Sequence, residues 1–292
     1  MSSATEQPQP SRAVPILALN GEAAARRADR VAVEEPLEIR IAAAEDPLSF
    51  QRVAITMRTP GADAELATGF LFAEGVIAAA ADVVYVTHCL EPEITAEQRG
   101  NVVTVTLRAG LAVDLAPLER HFTVSSACGV CGKAGIDQLA ARGVAAVSDG
   151  ARAMMVAPAL LYALPDRLRA AQDTFDATGG LHAAGLFDAD GTLCAVREDV
   201  GRHNALDKLV GWALAGGRTP LGGHIVLVSG RASYELVQKC AVAGVSVLAA
   251  VGAPSSLAIE TAAAFGMTLV GFVRGERANV YAGAERVSGP LG

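Results

Sequence analysis

Two thiols in the stretch SSACGVCGK, residues 125–133, carry the clearest chemical potential in this chain. Cys128 and Cys131 form a CxxC flanked by glycines, with Lys133 just behind them. A thiolate near a helix start and beside a lysine has a pKa below the free value of about 8.5, which suits it to attack a sulfane sulfur. Gly129 and Gly132 give the backbone a freedom that alanine would remove, so such a loop can carry sulfur from one place to another. Spacing alone leaves four meanings open: half of a structural zinc site, a redox pair, a disulfide, or a nucleophile with a helper thiol. A closed zinc site needs four ligands. There is no second CxxC, and although His121 is near, His88, His182 and His224 show no ligand spacing, so no zinc is expected. A thioredoxin-like pair would start its helix directly in a βαβ unit. Here a strand-like HFTV leads into the loop, and the helix is expected near Lys133.

The other chemical residues gather in the second half. REDVGRHNALDKLVGWAL is a dense polar run in an apolar region, with Asp199 as a candidate cap and Arg202, His203 and Asn204 on the first helical turn. His203 with Asp207, and Asn204 with Lys208, are i,i+4 pairs. Unpaired N–H groups and an arginine at a helix start make an anion site, while a merely solvated helix face is the bland alternative. Ser229-Gly230-Arg231 follows the apolar run HIVLV, Ala253–Ser256 (APSS) follows VSVLAAVG, and Phe272 ends a third run before Arg274, Gly275, Arg277 and Asn279. Ligands of α/β sheets collect outside the carboxyl ends of strands. Ser, Gly and Arg at such ends suit a phosphate-bearing ligand held by guanidinium groups. TGGLHAA adds Gly180, which permits close backbone approach, and His182 beside it.

These residues need elements to position them. LEIRIAA, FQRVAITMR, DVVYVTHCL and NVVTVTLRAG alternate like strands, and PGADAELATGFLFAEGVI reads as a helix with Asp63 as cap and Leu66, Phe70, Leu71 and Ile77 on its apolar stripe. KAGIDQLAARG is a short helix stopped by Gly143, and a second is expected at Pro158–Ala171. TGGLHAAGLF and TLCAVRE bracket Asp190-Gly191, a hairpin signal. Beyond them come a long helix and a β-α-β-α-β series whose continuous Val/Leu/Ile runs imply a partly parallel sheet covered on both faces. The expected class is α/β (α+β overall). A disordered tail is expected over residues 1–29, a small α+β domain over 30–150 and an α/β cofactor-binding domain over 151–286.

Bulk properties exclude several functions. The net charge of −7 and the lack of a Lys/Arg run argue against nucleic-acid binding. No run of 18 apolar residues exists, so no membrane span is expected. MSSATEQPQPSRAVP has no apolar h-region, so no signal peptide is expected there. Five cysteines in a chain of 292 residues make no disulfide framework, and the cytoplasm is the expected location.

In order along residues 50–282, TPGADAELATGFLFAEG, SSACGVCGK, TGGLHAA, EDVGRHNALDK, SGRASYE and GFVRGERANVY resemble the formate dehydrogenase accessory sulfurtransferases (FdhD). The resemblance implies a sulfur carrier that takes sulfur from a cysteine desulfurase as a persulfide. It would pass the sulfur to the molybdenum (or tungsten) bis-pterin guanine dinucleotide cofactor, destined for apo-formate dehydrogenase. By the same resemblance Cys128 bears the persulfide and Cys131 is its partner. The resemblance also implies that the segment Phe272, Val273, Arg274, Gly275, Glu276 and Arg277 contacts the cofactor; the candidates Gly180, His182, Arg202, His203, Asn204, Ser229 and Arg231 are added by the reading of the strand ends and the polar run above. The resemblance further implies a cytidine-deaminase-like fold for the second domain. Deaminase chemistry itself is not expected: H-x-E followed by P-C-x-x-C is required, Ala184 stands where the Glu would be, and the CxxC lies upstream of His182 behind Ala127. A cofactor-binding chaperone without sulfur chemistry and a dithiol–disulfide oxidoreductase are the alternatives. A homodimer is the expected assembly, as the commonest among soluble proteins.

Overall fold

The computed structural model describes residues 9–89, 95, 100–113, 115, 132–147 and 154–288. Cys128 and Cys131 lie outside the described residues, and so does the sulfur-carrying loop expected around them.

The first sheet has the order β4-β3-β6-β5, from β3 (Glu35–Ala43), β4 (Asp46–Arg58), β5 (Val83–His88) and β6 (Val102–Leu107). Its inner face follows the period of two: Leu37, Ile39 and Ile41 alternate with polar Glu38 and Arg40. Helix α1 (Asp63–Glu74) packs on that face. Asp63 is not its cap. The cap position belongs to Ala62, and the Asp63 carboxylate instead accepts hydrogen bonds from Arg58 Nε (3.0 Å) and Arg58 Nη2 (3.1 Å) and contacts His88 Nε2 (3.1 Å). Ile77 falls beyond the helix, which stops at the left-handed Gly75.

The second sheet has six strands in the order β12-β11-β10-β9-β7-β8. β7 (His182–Phe187) and β8 (Leu193–Asp199) form the hairpin about Asp190-Gly191. β9 (Ile225–Val228), β10 (Val247–Ala250) and β11 (Thr268–Arg274) run parallel, and β12 (Arg277–Ala282) returns antiparallel along β11. The sequence reading stopped β11 at Phe272. It continues to Arg274 because a register shift between Gly271 and Arg274 lets the strand bulge and keep pairing.

Each strand of this sheet feeds two apolar layers. Val226, Val228, Leu248 and Ala250 face α5 (Arg202–Ala215), α6 (Tyr234–Val242) and α7 (Ser256–Ala264), while Ile225, Leu227, Val247 and Ala249 face α3 (Pro158–Arg169). Among the described residues the remaining α-helices are α2 (Gly132–Ala141) and α4 (Asp173–Thr178). Burial on both faces is why these strands read as unbroken apolar runs.

The two sheets are joined through α1 and α5, which cross at glycines. A Cβ on Gly69 would stand 1.9 Å from the carbonyl oxygen of Asp207, and one on Gly211 would stand 1.9 Å from that of Glu65. Only glycine permits that backbone approach. One apolar cluster therefore runs from Leu37 and Ile39 through Leu66, Leu206 and Val210 to Val226 and Leu248.

The expected disordered tail is corrected in part. β1 (Ser11–Asn20) and β2 (Ala23–Ala32) form a separate antiparallel hairpin. Its two-residue turn is Gly21-Glu22, with Gly21 at φ 59°, the left-handed conformation that a glycine supplies in a tight hairpin. Proline-rich flanks hid the alternation of AVPILAL.

Candidate functional site

The carboxyl ends of the three parallel strands lie side by side. Gly252 N–H donates to Gly230 O (2.9 Å), and Phe272 N–H donates to Gly252 O (3.1 Å). This fixes the loops after β9 and β10 against the β11 bulge. Phe272 has φ 54°, a left-handed conformation that an aromatic residue adopts only where its surroundings enforce it. Gly252 is required here, since a Cβ would come within 3.0 Å of Gly230 O and 3.1 Å of Arg231 Cα.

The start of α5 meets these loops. A Cβ on Gly230 would sit 3.4 Å from His182 Nδ1 and 4.0 Å from Arg202 Cδ, so strand end, histidine and arginine adjoin. Arg202 Nε is buried and has no hydrogen-bond partner among the described residues, which leaves a cation available to an anionic ligand. Burial and the adjacent Arg202 charge both hold His182 below the ordinary histidine value. The same two causes push His203 down to about 4, so its ring is neutral at pH 7. His203 Nε2 lies 3.3 Å from Ser233 Oγ and 3.8 Å from Glu235 Oε2.

The structure thus brings Arg202, His182, His203 and Arg231 around the ends of β9 and β10, with Arg231 exposed. Arg274, Gly275, Glu276 and Arg277 form the exposed tip between β11 and β12, and the Arg274 guanidinium lies 5.9 Å from the Phe272 ring centre. Gly180 is exposed and packs against Ala32 at the base of the hairpin. Three candidates are engaged internally. Val273 is fully buried in the apolar layer beneath α3. Ser229 Oγ accepts from Ala183 N–H (2.9 Å) and ties β9 to β7. Asn204 accepts from Thr56 Oγ1 (3.1 Å) and donates to Met57 O (2.7 Å) and Asp199 Oδ1 (3.2 Å).

The polar motif is therefore no solvated helix face. Asp199 is fully buried, and Lys208 Nζ approaches its Oδ2 at 2.7 Å while donating to Thr59 O (2.8 Å). Asp199 also accepts from the N–H groups of Gly201 (2.8 Å) and Thr59 (3.1 Å). These bonds clamp the start of α5 to the end of β4. Removing one partner of such a buried pair costs roughly 3–5 kcal/mol, because the other charge is left behind.

Sequence reasoning missed a second polar group, in a cavity lined by residues of β3, β4, α1, α5 and α6. Lys239 is buried, with Nζ 2.8 Å from Asp207 Oδ1 and 3.1 Å from Oδ2, and 3.8 Å from Glu74 Oε1. Burial pushes Asp207 up to about 6 against the pull of Lys239. The available signal was a lone lysine amid the apolar residues of YELVQKCAV, a helix whose Leu236, Val237, Cys240 and Ala241 are all buried.

Comparison with known proteins places this geometry among relatives. The model of the FdhD/NarQ family matches residues 32–288. "Sulfur carrier protein FdhD" of Mycolicibacterium paratuberculosis is 51% identical over 267 residues, covering 91% of this chain and 94% of the relative. Its counterpart in Streptomyces coelicolor is 50% identical over 273 residues, covering 94% of each. A putative formate dehydrogenase accessory protein from Desulfotalea psychrophila shares the fold, with a TM-score of 0.71 at 24% identity over 96% of this chain and 100% of that one.

Proposed function

The chain belongs to the FdhD/NarQ family, and from that premise we propose that it is a cytoplasmic sulfur carrier serving the maturation of formate dehydrogenase. The observation that carries this reading is the half-identical match, over nine-tenths of the chain, to relatives named sulfur carriers. The CxxC supplies the matching chemistry.

The Cys128 thiolate attacks the outer sulfur of a persulfide on a cysteine desulfurase. The donor S–S bond breaks, the donor thiolate leaves, and Cys128 carries the persulfide. Cys131 then attacks the Cys128 Sγ atom, a Cys128–Cys131 disulfide forms, and hydrosulfide departs to the acceptor. The two thiols supply the two electrons, and a dithiol reductant restores them before the next cycle. The acceptor is the molybdenum (or tungsten) bis-pterin guanine dinucleotide, bound as substrate and then handed to apo-formate dehydrogenase. Its phosphates suit the cations at the strand ends, Arg202, Arg231, Arg274 and Arg277. A homodimer would present two such sites.

The test is intact mass spectrometry after incubation with a cysteine desulfurase and cysteine, on wild type, Cys128→Ala and Cys131→Ala. The expected result is a gain of one sulfur mass that Cys128→Ala abolishes. Wild type that stays unmodified would refute the carrier reading and favour a chaperone or a dithiol–disulfide oxidoreductase.

A further inference from the structure

The β1–β2 hairpin takes no part in the sulfur steps above, and the residues that match the family begin only at its last position, Ala32. Its base is closed by Val33 N–H donating to Pro10 O (2.9 Å) and by Arg30 Nη2 donating to Ser11 Oγ (2.6 Å). Helix α4 touches β2, yet residues 23–30 of that strand are exposed, and only Val31 and Ala32 are partly covered. The hairpin is charged against the rest of the chain. Arg12, Arg26, Arg27 and Arg30 outnumber Glu22 and Asp29, a net +2 within a total of −7. Neither Arg26 nor Arg27 pairs with a carboxylate among the described residues.

The register sorts these groups by face. Leu17 lies opposite Arg26, Leu19 opposite Ala24, and Ala13 opposite Arg30. Opposed residues share a face, so Leu17 and Leu19, 61% and 74% exposed, stand with Arg26 and Arg30 on one bare surface. The two edges differ. β1 contains Pro15, which has no N–H to donate, whereas β2 runs its whole length without proline. No backbone group of residues 23–30 bonds beyond the hairpin among the described residues. Alternate N–H and C=O groups of β2 therefore face outward unpaired, which is the template for one more strand.

We infer that β2 is a docking edge for an acidic, extended segment of a partner protein, which adds to the hairpin as a third strand. Its carboxylates pair with Arg26, Arg27 and Arg30, and its apolar side chains extend the surface of Leu17 and Leu19. Charge and backbone together select this occupant. An anionic lipid surface would match the arginines and leucines but leave the row of N–H and C=O groups unpaired. A second copy would bring the same three arginines to the edge. A Cβ on Gly180 would stand 3.7 Å from the Ala32 Cβ, so the docked partner is tethered beside the strand-end site. The inference goes beyond the sulfur-carrier reading, since docking requires no sulfur transfer.

The experiment uses the full chain and fluorescence anisotropy with a labelled pool of peptides as long as β2, 10 residues, of mixed Asp, Glu, Val, Thr and Leu. A second pool carries Lys and Arg in place of Asp and Glu, and vesicles of phosphatidylcholine with phosphatidylserine test for lipid. The acidic pool is expected to bind, to bind more weakly as salt rises, and to slow hydrogen exchange in residues 23–32. Arg26→Gln combined with Arg27→Gln should weaken binding by about three- to tenfold at an unchanged melting temperature. No binding of the acidic pool at about 1 mM overturns the inference. So does equal binding of the basic pool, wild-type affinity in the glutamine variant, or protection outside the hairpin. Vesicle binding without peptide binding also overturns it and gives the surface to lipid. Persulfide on Cys128 is read out independently, so a wrong docking edge and a wrong carrier assignment give different results.

Discussion

At the scale of single residues, the polar groups of α5 are decided by what covers them. His203 sits among Arg202, His182, Lys239 and Glu235, and burial followed by the Arg202 charge lowers it to about 4. Its folded pKa is thus below its unfolded value of about 6.5. Between these values the unfolded chain binds the proton, so stability rises with pH across that window and is lost on acidification. Asp207 acts in the opposite sense. Its folded pKa is raised to about 6, so it contributes stability at low pH that is lost as pH rises through that value. Denaturant titration at pH 7 and pH 5 should therefore show a smaller acid loss in His203→Gln than in wild type, and the wild-type ring should titrate near 4 by NMR. An acid loss unchanged by the substitution would contradict a buried neutral imidazole. Both i,i+4 pairs of this helix were legible, because helical spacing shows which residues share a face. Whether that face meets water was not legible, since Thr56, Met57 and Thr59, which cover it, come from a strand and loop far away in sequence.

At the scale of elements, the contact between α1 and α5 controls the whole arrangement. Gly69 and Gly211 let the two backbones touch, and this sets the start of α5 against β4 and the floor of the Lys239 cavity between the helices. Gly211→Ala should destabilise the fold by at least about 1–3 kcal/mol, the usual cost of overpacking, because the obstruction at 1.9 Å is backbone and cannot rotate away. A chemical-denaturation midpoint equal to wild type would show that the helices are free to separate. In the sequence these residues are ordinary glycines inside apolar helices. Nothing local distinguishes a close crossing from a weak helix position, because the partner backbone is absent from the local pattern.

At the scale of the molecule, one apolar cluster joins both sheets despite the two compositional halves. Calorimetry should therefore give a single unfolding transition with equal calorimetric and van't Hoff enthalpies. Two separated transitions would mean that the α1–α5 junction is weaker than the sheets it joins. The β1–β2 hairpin stands apart from both larger sheets. Two strands alone are marginal in water, so it belongs to the low-stability end of the fold and should not add a transition.

By itself the sequence determined most strands and helices of the second half, though not α4 or β12, together with the hairpin at Asp190-Gly191 and the polar residues at successive strand ends. Those signals are local: periodicity, turn chemistry and continuous apolar runs act within a few residues. Tertiary structure alone decided which polar residues are free. It committed Asn204, Ser229 and Lys208 to internal bonds, left Arg202 Nε unpaired, and brought Glu74 within 3.8 Å of Lys239 Nζ. Glu74 and Lys239 lie on α1 and α6, and the crossing that unites them depends on contacts between residues distant in the chain.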